Sequence, residues 1–136
     1  MAIIIIIIII IMVVKLFGHG LSRSLVPETH VSIQNVLEGN DDLTAHCRSN
    51  DDDIGVKLVK YQDAFEFRFR ANLFGGTLFY CRFEWNGACQ WFNIYDEQRD
   101  LGKCERCNWH ITKNGPCREV SYNTDTCYEW RSEDSC

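Results

Sequence analysis

Beyond residue 30 the chain reads in twos. Val31 and Ile33 alternate with Ser32 and Gln34, and Leu43, Ala45 and Cys47 alternate with Thr44, His46 and Arg48. Successive side chains of a strand point to opposite faces, so each run predicts a strand with one buried face. Phe65 to Arg70 is the clearest case, with three phenylalanines on one face and Glu66, Arg68 and Arg70 on the other. A helical period would scatter those rings. Thr77 to Trp85 gathers Phe79, Cys81, Phe83 and Trp85 in the same way, and Asn86-Gly87 suits the positive φ of a type I′ turn. Gln90 to Tyr95 should then fold back on that strand. Val56 to Val59 and Asn108 to Thr112 supply two more, giving about seven short strands with no convincing amphipathic helix between them. The expected fold is all-β, a small antiparallel β-sandwich stabilised by disulfides.

The first residues follow a different rule. Thirteen apolar residues run from Ala2 to Val14, nine of them isoleucine, before the first charge at Lys15. As a helix they rise only about 20 Å, short of the ~30 Å hydrocarbon core of a bilayer. Residues 1–24 are therefore read as a signal peptide, with Gly18 and Gly20 or Ser22 and Ser24 as small residues beside a cut between 18 and 28. Residues 25–136 form one domain, ending in a polar, cysteine-containing tail at 118–136 that disulfides should pin. No stable membrane insertion is expected after cleavage.

All eight cysteines, Cys47, Cys81, Cys89, Cys104, Cys107, Cys117, Cys127 and Cys136, lie beyond the apolar segment. Behind an export signal they read as up to four disulfides, although eight allow 105 pairings. Cys104-Glu105-Arg106-Cys107 has the spacing of half a zinc site, but no second close pair completes it. From Leu25 onward 19 acidic residues oppose 12 basic ones. Nucleic acid and anionic membrane surfaces are poor partners for that charge.

A search for chemistry finds no G-x-S-x-G, H-E-x-x-H or P-loop. His46 and His110 fall at surface strand positions. Glu66, Glu84 and Asp96 are carboxylates that a glycosidase could pair, and Asp51-Asp52-Asp53 lacks the alternation and terminal Glu of an EF-hand. Trp85, Trp91, Phe92 and Trp109 could stack sugars, but their alternation favours core packing. No catalytic, cofactor-binding or metal-binding residue is assigned, no cofactor is expected, and the chain is read as a non-enzyme. A small secreted hydrolase or a lectin-like module is the alternative.

Several segments in order carry a resemblance: His46-Cys47-Arg48-Ser49 with Asp51 to Gly55, Phe65 to Phe69, Asn72 to Cys81, Trp91 to Asp96, and Cys107-Asn108-Trp109 with Gly115-Pro116-Cys117. Together they resemble the plant self-incompatibility protein family, the S-protein homologues. The resemblance implies a plant origin, secretion to the extracellular space, a compact β-sandwich, and a monomeric signalling ligand. Founding members are pistil proteins that reject self pollen through a receptor on the pollen surface. The family pattern also suggests pairing of Cys47 with Cys117 and Cys81 with Cys107, leaving Cys89, Cys104, Cys127 and Cys136 as further candidates. A ligand of this kind should meet an unidentified cell-surface receptor through loops rather than sheet faces. The candidate loops are Glu38 to Asp42, Ser49 to Asp53 and Gln98 to Arg106, with Asp51, Asp52, Asp53, Arg99 and Arg106 as the receptor-facing side chains.

Overall fold

A computed structural model describes residues 1–24 and 26–136, so the domain start expected at Leu25 lies outside the described residues. Helix α1 spans Ala2–Ser24. Among the described residues no helix is long and apolar enough to cross a membrane.

Among the described residues nine strands follow: β1 (Glu28–Asn35), β2 (Leu43–Arg48), β3 (Asp53–Val59), β4 (Ala64–Arg70), β5 (Leu78–Trp85), β6 (Ala88–Asp96), β7 (Arg106–Ile111), β8 (Pro116–Ser121) and β9 (Thr124–Cys127). They form a five-stranded sheet in the order β4-β1-β7-β8-β9 and a four-stranded sheet in the order β3-β2-β5-β6. The expected antiparallel sandwich is present with one departure, because β1 and β7 run parallel. Their connection passes through the other sheet, which lets two strands distant in sequence become neighbours. The Asn86-Gly87 turn joins β5 to β6, with φ of 39° and 79° at its two residues.

The alternating apolar positions meet between the sheets. Val31, Ile33, Cys107, Trp109 and Ile111 come from the first sheet and Leu43, Ala45, Phe83, Ile94 and Tyr95 from the second, all essentially without solvent exposure. A large apolar side chain buried this way contributes about 1.5–3 kcal/mol. Phe67 and Phe69 carry the contact across the sandwich, with ring centroids 5.2 and 4.5 Å from Phe79. Asn35 is the polar exception. Its amide donates to the carbonyls of Asp41 and Val59 and its oxygen accepts from Leu37 N–H, so one buried side chain ties β1 to the start and end of the β2–β3 hairpin.

Two strands and one helix exceed the pattern. β8 and β9 escape a hydrophobic reading because the inward position of β8 is Arg118, 7% exposed, rather than an apolar residue. Helix α2 (Glu97–Asp100) is a single turn capped by Asp96, whose carboxylate accepts from Gln98 N–H. The tail also does more than hang from disulfides. Tyr128 and Trp130 pack on the core, with Trp130 5.5 Å from Trp85 and 5.9 Å from Phe83. The C-terminus then covers the edge of β6 through a bridge between Gln90 and Ser135 and a bond from Cys136 N–H to Cys89 O.

The disulfides overturn the pairing suggested by the family pattern. They are Cys47–Cys81, Cys89–Cys136, Cys104–Cys107 and Cys117–Cys127. Cys47 and Cys81 stand directly opposite each other on β2 and β5, with Cα atoms 4.0 Å apart. Cys117 lies in the other sheet, opposite Cys127 on β9. Cys81 is bonded to Cys47 and Cys107 to Cys104, so neither suggested pair forms.

Candidate interaction surface

The polypeptide from Ser49 to Gly55 is a built loop. Ser49 N–H donates to Asp52 O at 2.8 Å, and the Ser49 hydroxyl oxygen accepts from the N–H groups of Asp51 and Asp52. Asp53 accepts from Gly55 N–H at 2.8 Å and faces His46 Nε2 at 2.7 Å. The Gly55 N–H and then the His46 side chain hold the Asp53 carboxyl below its ordinary range. Gly55 sits at φ 84°, where β2 and β3 slip register between Cys47 and Arg48. The Cys47–Cys81 bond anchors the loop's base. Asp51 and Asp52 are exposed at its tip, and among the described residues neither carboxylate has a hydrogen bond or an ion pair.

The loop from Glu38 to Asp42 contrasts with it. Glu38 accepts from Lys113 N–H, Asp41 pairs with Lys113 and Asp42 pairs with Lys60. Its carboxylates are occupied within the protein.

Arg99 does not lie in a loop. It belongs to α2, and its guanidinium lies over the rings of Phe92, Trp109 and Tyr128 at 5.4, 5.1 and 5.4 Å while donating to Asp100 and to Asn93 O. It is partly exposed and helps line a cleft of about 480 Å³ between β6 and the tail. An alternating pattern cannot reveal this, because the three rings come from separate segments. Arg106 is exposed, but it starts β7 opposite His30 on the outer face of the five-stranded sheet. The five receptor-facing candidates therefore do not form one patch.

The outer faces of the two sheets differ in kind. His30, Ser32, Gln34, Glu66, Arg68, Asn108, His110 and Glu119 face outward on the five-stranded sheet, without a Phe, Tyr or Trp among them. The four-stranded sheet turns outward Val56, Leu58, His46, Arg48, Tyr80, Arg82 and Trp91. Trp91 thus stands outside the core that alternation assigned to it. The unbroken register counted back from the Asn86-Gly87 turn sets Phe92 on the inner face, opposite Cys81, and Trp91 opposite Arg82, and the bulge beyond them lets Ile94 and Tyr95 both be buried.

The candidate chemistry does not assemble. Glu66 and Glu84 stand on opposite outer faces of the sandwich, and Asp96 is used as a helix cap. His110 Nδ1 lies 3.6 Å from Asp125. Among the described residues no group of three His, Cys, Asp or Glu side chains is placed to hold a metal ion.

This disulfide-linked sandwich matches the family model "Plant self-incompatibility protein S1" over residues 30–130. The chain belongs to that family. Among its curated relatives, S-protein homolog 5 of Arabidopsis thaliana is 40% identical over 119 residues, 85% of this chain and 90% of that protein. S-protein homolog 4 of the same plant is 43% identical over 107 residues, 74% of this chain and 70% of that protein. A solved structure of SPH (self-incompatibility protein homologue) proteins, there called small, highly stable and secreted, superposes with a TM-score of 0.59. It covers 81% of this chain and 100% of its own at 21% identity. That likeness supports the sandwich itself. Membership in the S1 family also explains why the segments around Cys47, Cys81, Cys107 and Cys117 recur in order, since they frame β2, β5, β7 and β8.

Proposed function

We propose that this chain is a secreted plant ligand that signals by binding a protein receptor at a cell surface, in the manner implied by self-incompatibility. One observation carries the reading: the Ser49–Asp53 loop is fixed by its own hydrogen bonds and by the Cys47–Cys81 bond, yet leaves Asp51 and Asp52 without partners. Ordering a loop before binding lowers the entropy cost of association, and two free carboxylates steer it towards a basic surface. Family membership and the apolar segment at Ala2–Val14 support export. Secreted protein should begin between His19 and Thr29 on N-terminal sequencing, and a retained Met1 rejects the leader.

The loop is tested by Asp51→Asn with Asp52→Ser, leaving Asp53 in place because it holds the turn. Association of labelled protein with intact plant cells should slow several-fold, and raising salt above about 0.15 M should slow the wild type more than the variant. Equal rates at every salt concentration remove the loop from the interface.

A further inference from the structure

We infer that the outer face of the β3-β2-β5-β6 sheet is a docking surface for a protein segment that presents a carboxylate among apolar side chains. The inference rests on the ligand reading and supplies the part of the interface that the acidic loop lacks. Val56 and Leu58 are 65% and 61% exposed, side by side on β3, in the rows that run through His46 and Thr44. Two strands away Tyr80 and Trp91 meet with ring centroids 6.0 Å apart. Aromatic and arginine side chains on a rigid face are the composition of interface hot spots, and a solvated sheet face has no folding reason to carry them.

The charge at the centre selects the partner. Arg48 lies 5.9 Å over the Tyr80 ring. Its Nε is buried and has no hydrogen-bond partner, and among the described residues Arg48 makes no ion pair. The other charges of the face are already satisfied: Arg82 pairs with Glu84, and His46 with Asp53. Asp53, opposite Arg48 on β3, acts on it through space without forming an ion pair, so the unbonded Nε is completed by an incoming carboxylate, in a charge-assisted hydrogen bond stronger than a neutral one. A second copy is disfavoured because the unpaired carboxylates it would offer Arg48, Asp51 and Asp52, stand among Ser49, Asn50 and Asp53 rather than among apolar side chains. Edge-to-edge pairing along β3 is also opposed by the exposed Lys57, which would meet its own counterpart near the middle of the strand. An acidic polysaccharide could use Arg48 and the rings, but it has no use for Val56 and Leu58. Arg48 adjoins Ser49, so the patch continues into the acidic loop and gives one surface an apolar centre and a charged rim.

The test uses the oxidised, full-length secreted protein, fluorescently labelled, on intact plant cells that it binds. Compared are wild type, Arg48→Gln, Val56→Ser with Leu58→Ser, and Glu66→Gln on the opposite face. Circular dichroism checks the fold, and the two aliphatic positions are too exposed for their loss to unfold the sandwich. We expect binding that protease treatment of the cells abolishes, weakened at least tenfold by Arg48→Gln and by the double variant and unchanged by Glu66→Gln. Protease-sensitive binding equal in all four proteins overturns this face and leaves the ligand reading standing. No saturable binding by the wild type overturns both. Binding removed by pectinase but not by protease assigns the face to polysaccharide and rejects the inference. A dimer in sedimentation that the double variant abolishes assigns it to a second copy and rejects the inference as well.

Discussion

Asp100, with no solvent exposure, is held by the guanidinium of Arg118, which reaches it from β8 18 residues further along the chain. Arg99 grips the same carboxylate through two bonds of 2.8 and 2.7 Å, and Asp96 N–H donates to it at 2.9 Å. Two cations thus share one buried anion. The excess positive charge faces aromatic rings, Trp109 beneath both guanidiniums and Phe92 and Tyr128 beneath Arg99. This cluster fastens α2, β6, β8 and the tail to one another.

Removing the anion should therefore cost far more than removing a surface charge. Asp100→Asn keeps the shape and leaves two guanidiniums facing each other, and should lower stability by about 3–5 kcal/mol. In urea the midpoint should fall with an unchanged slope, the mark of lost stability without altered compactness. A loss below about 1 kcal/mol, the usual worth of an exposed pair, would reject the arrangement.

The disulfides should differ in worth by the chain they close. In the chain-entropy model Cys47–Cys81 and Cys89–Cys136, separated by 34 and 47 residues, contribute about 4 kcal/mol each. Cys104–Cys107, separated by 3, contributes less than half of that. Serine pairs made at each site and compared by urea unfolding should fall in that order. Non-reducing peptide maps should give the four pairs described above, and a Cys47–Cys117 peptide would contradict the register of β2 and β5.

The strands with one wet face and one dry face were legible because burial repeats with the pleat, as in Phe65, Phe67 and Phe69 or Phe79, Cys81 and Phe83. What alternation hides is any position where a polar side chain takes the dry side. Arg118 does so on β8, and Arg99 returns over rings from three segments. Trp91 shows the converse, a large apolar residue set on the wet side by the register of the β5–β6 hairpin. The Asp51–Asp53 loop could be found from composition, but not that two of its carboxylates are free and the third is engaged. The disulfides depended on which strands are neighbours, and the parallel meeting of β1 and β7 lies beyond local pattern.

Stability at high pH should bear the mark of Tyr95. Its buried phenol is held above the ordinary value near 10, first by burial and then by the nearby Asp100 and Glu97 carboxylates. The unfolded chain releases this proton near pH 10 while the folded protein keeps it. The contribution is therefore complete below pH 10 and is lost as pH rises through the folded value. Its hydroxyl has no hydrogen bond of good geometry, so Tyr95→Phe should leave stability at pH 7 within about 1 kcal/mol. The variant should unfold less steeply than wild type as pH is raised above 10. Parallel alkaline profiles would place the tyrosine in water.

The sharpest steric prediction concerns Gly115, where the tail crosses the turn between β7 and β8. A Cβ there would lie 1.7 Å from the carbonyl oxygen of Tyr128 and 2.8 Å from its carbon, both backbone atoms that no side-chain rotation can move. The close approach has a purpose. It allows Tyr128 N–H to reach Pro116 O at 2.9 Å and Trp130 N–H to reach Asn114 O at 3.2 Å, so that the tail runs as an added strand. Those bonds in turn seat the Trp130 ring against Trp85 and let its indole N–H donate to Thr112 O. Gly115→Ala must push the tail outward, breaking both backbone bonds and opening the cleft beside β6. The disulfides at Cys127 and Cys136 hold the tail's two ends, so it should bow rather than detach. We expect a loss of more than about 2 kcal/mol, the scale of an overpacked core, together with lost hydrogen-exchange protection at Tyr128 and Trp130. Protection at Cys47 and Cys81, across the sandwich, should persist. Wild-type protection at Tyr128 and Trp130 in the variant would show that the two backbones do not cross this closely.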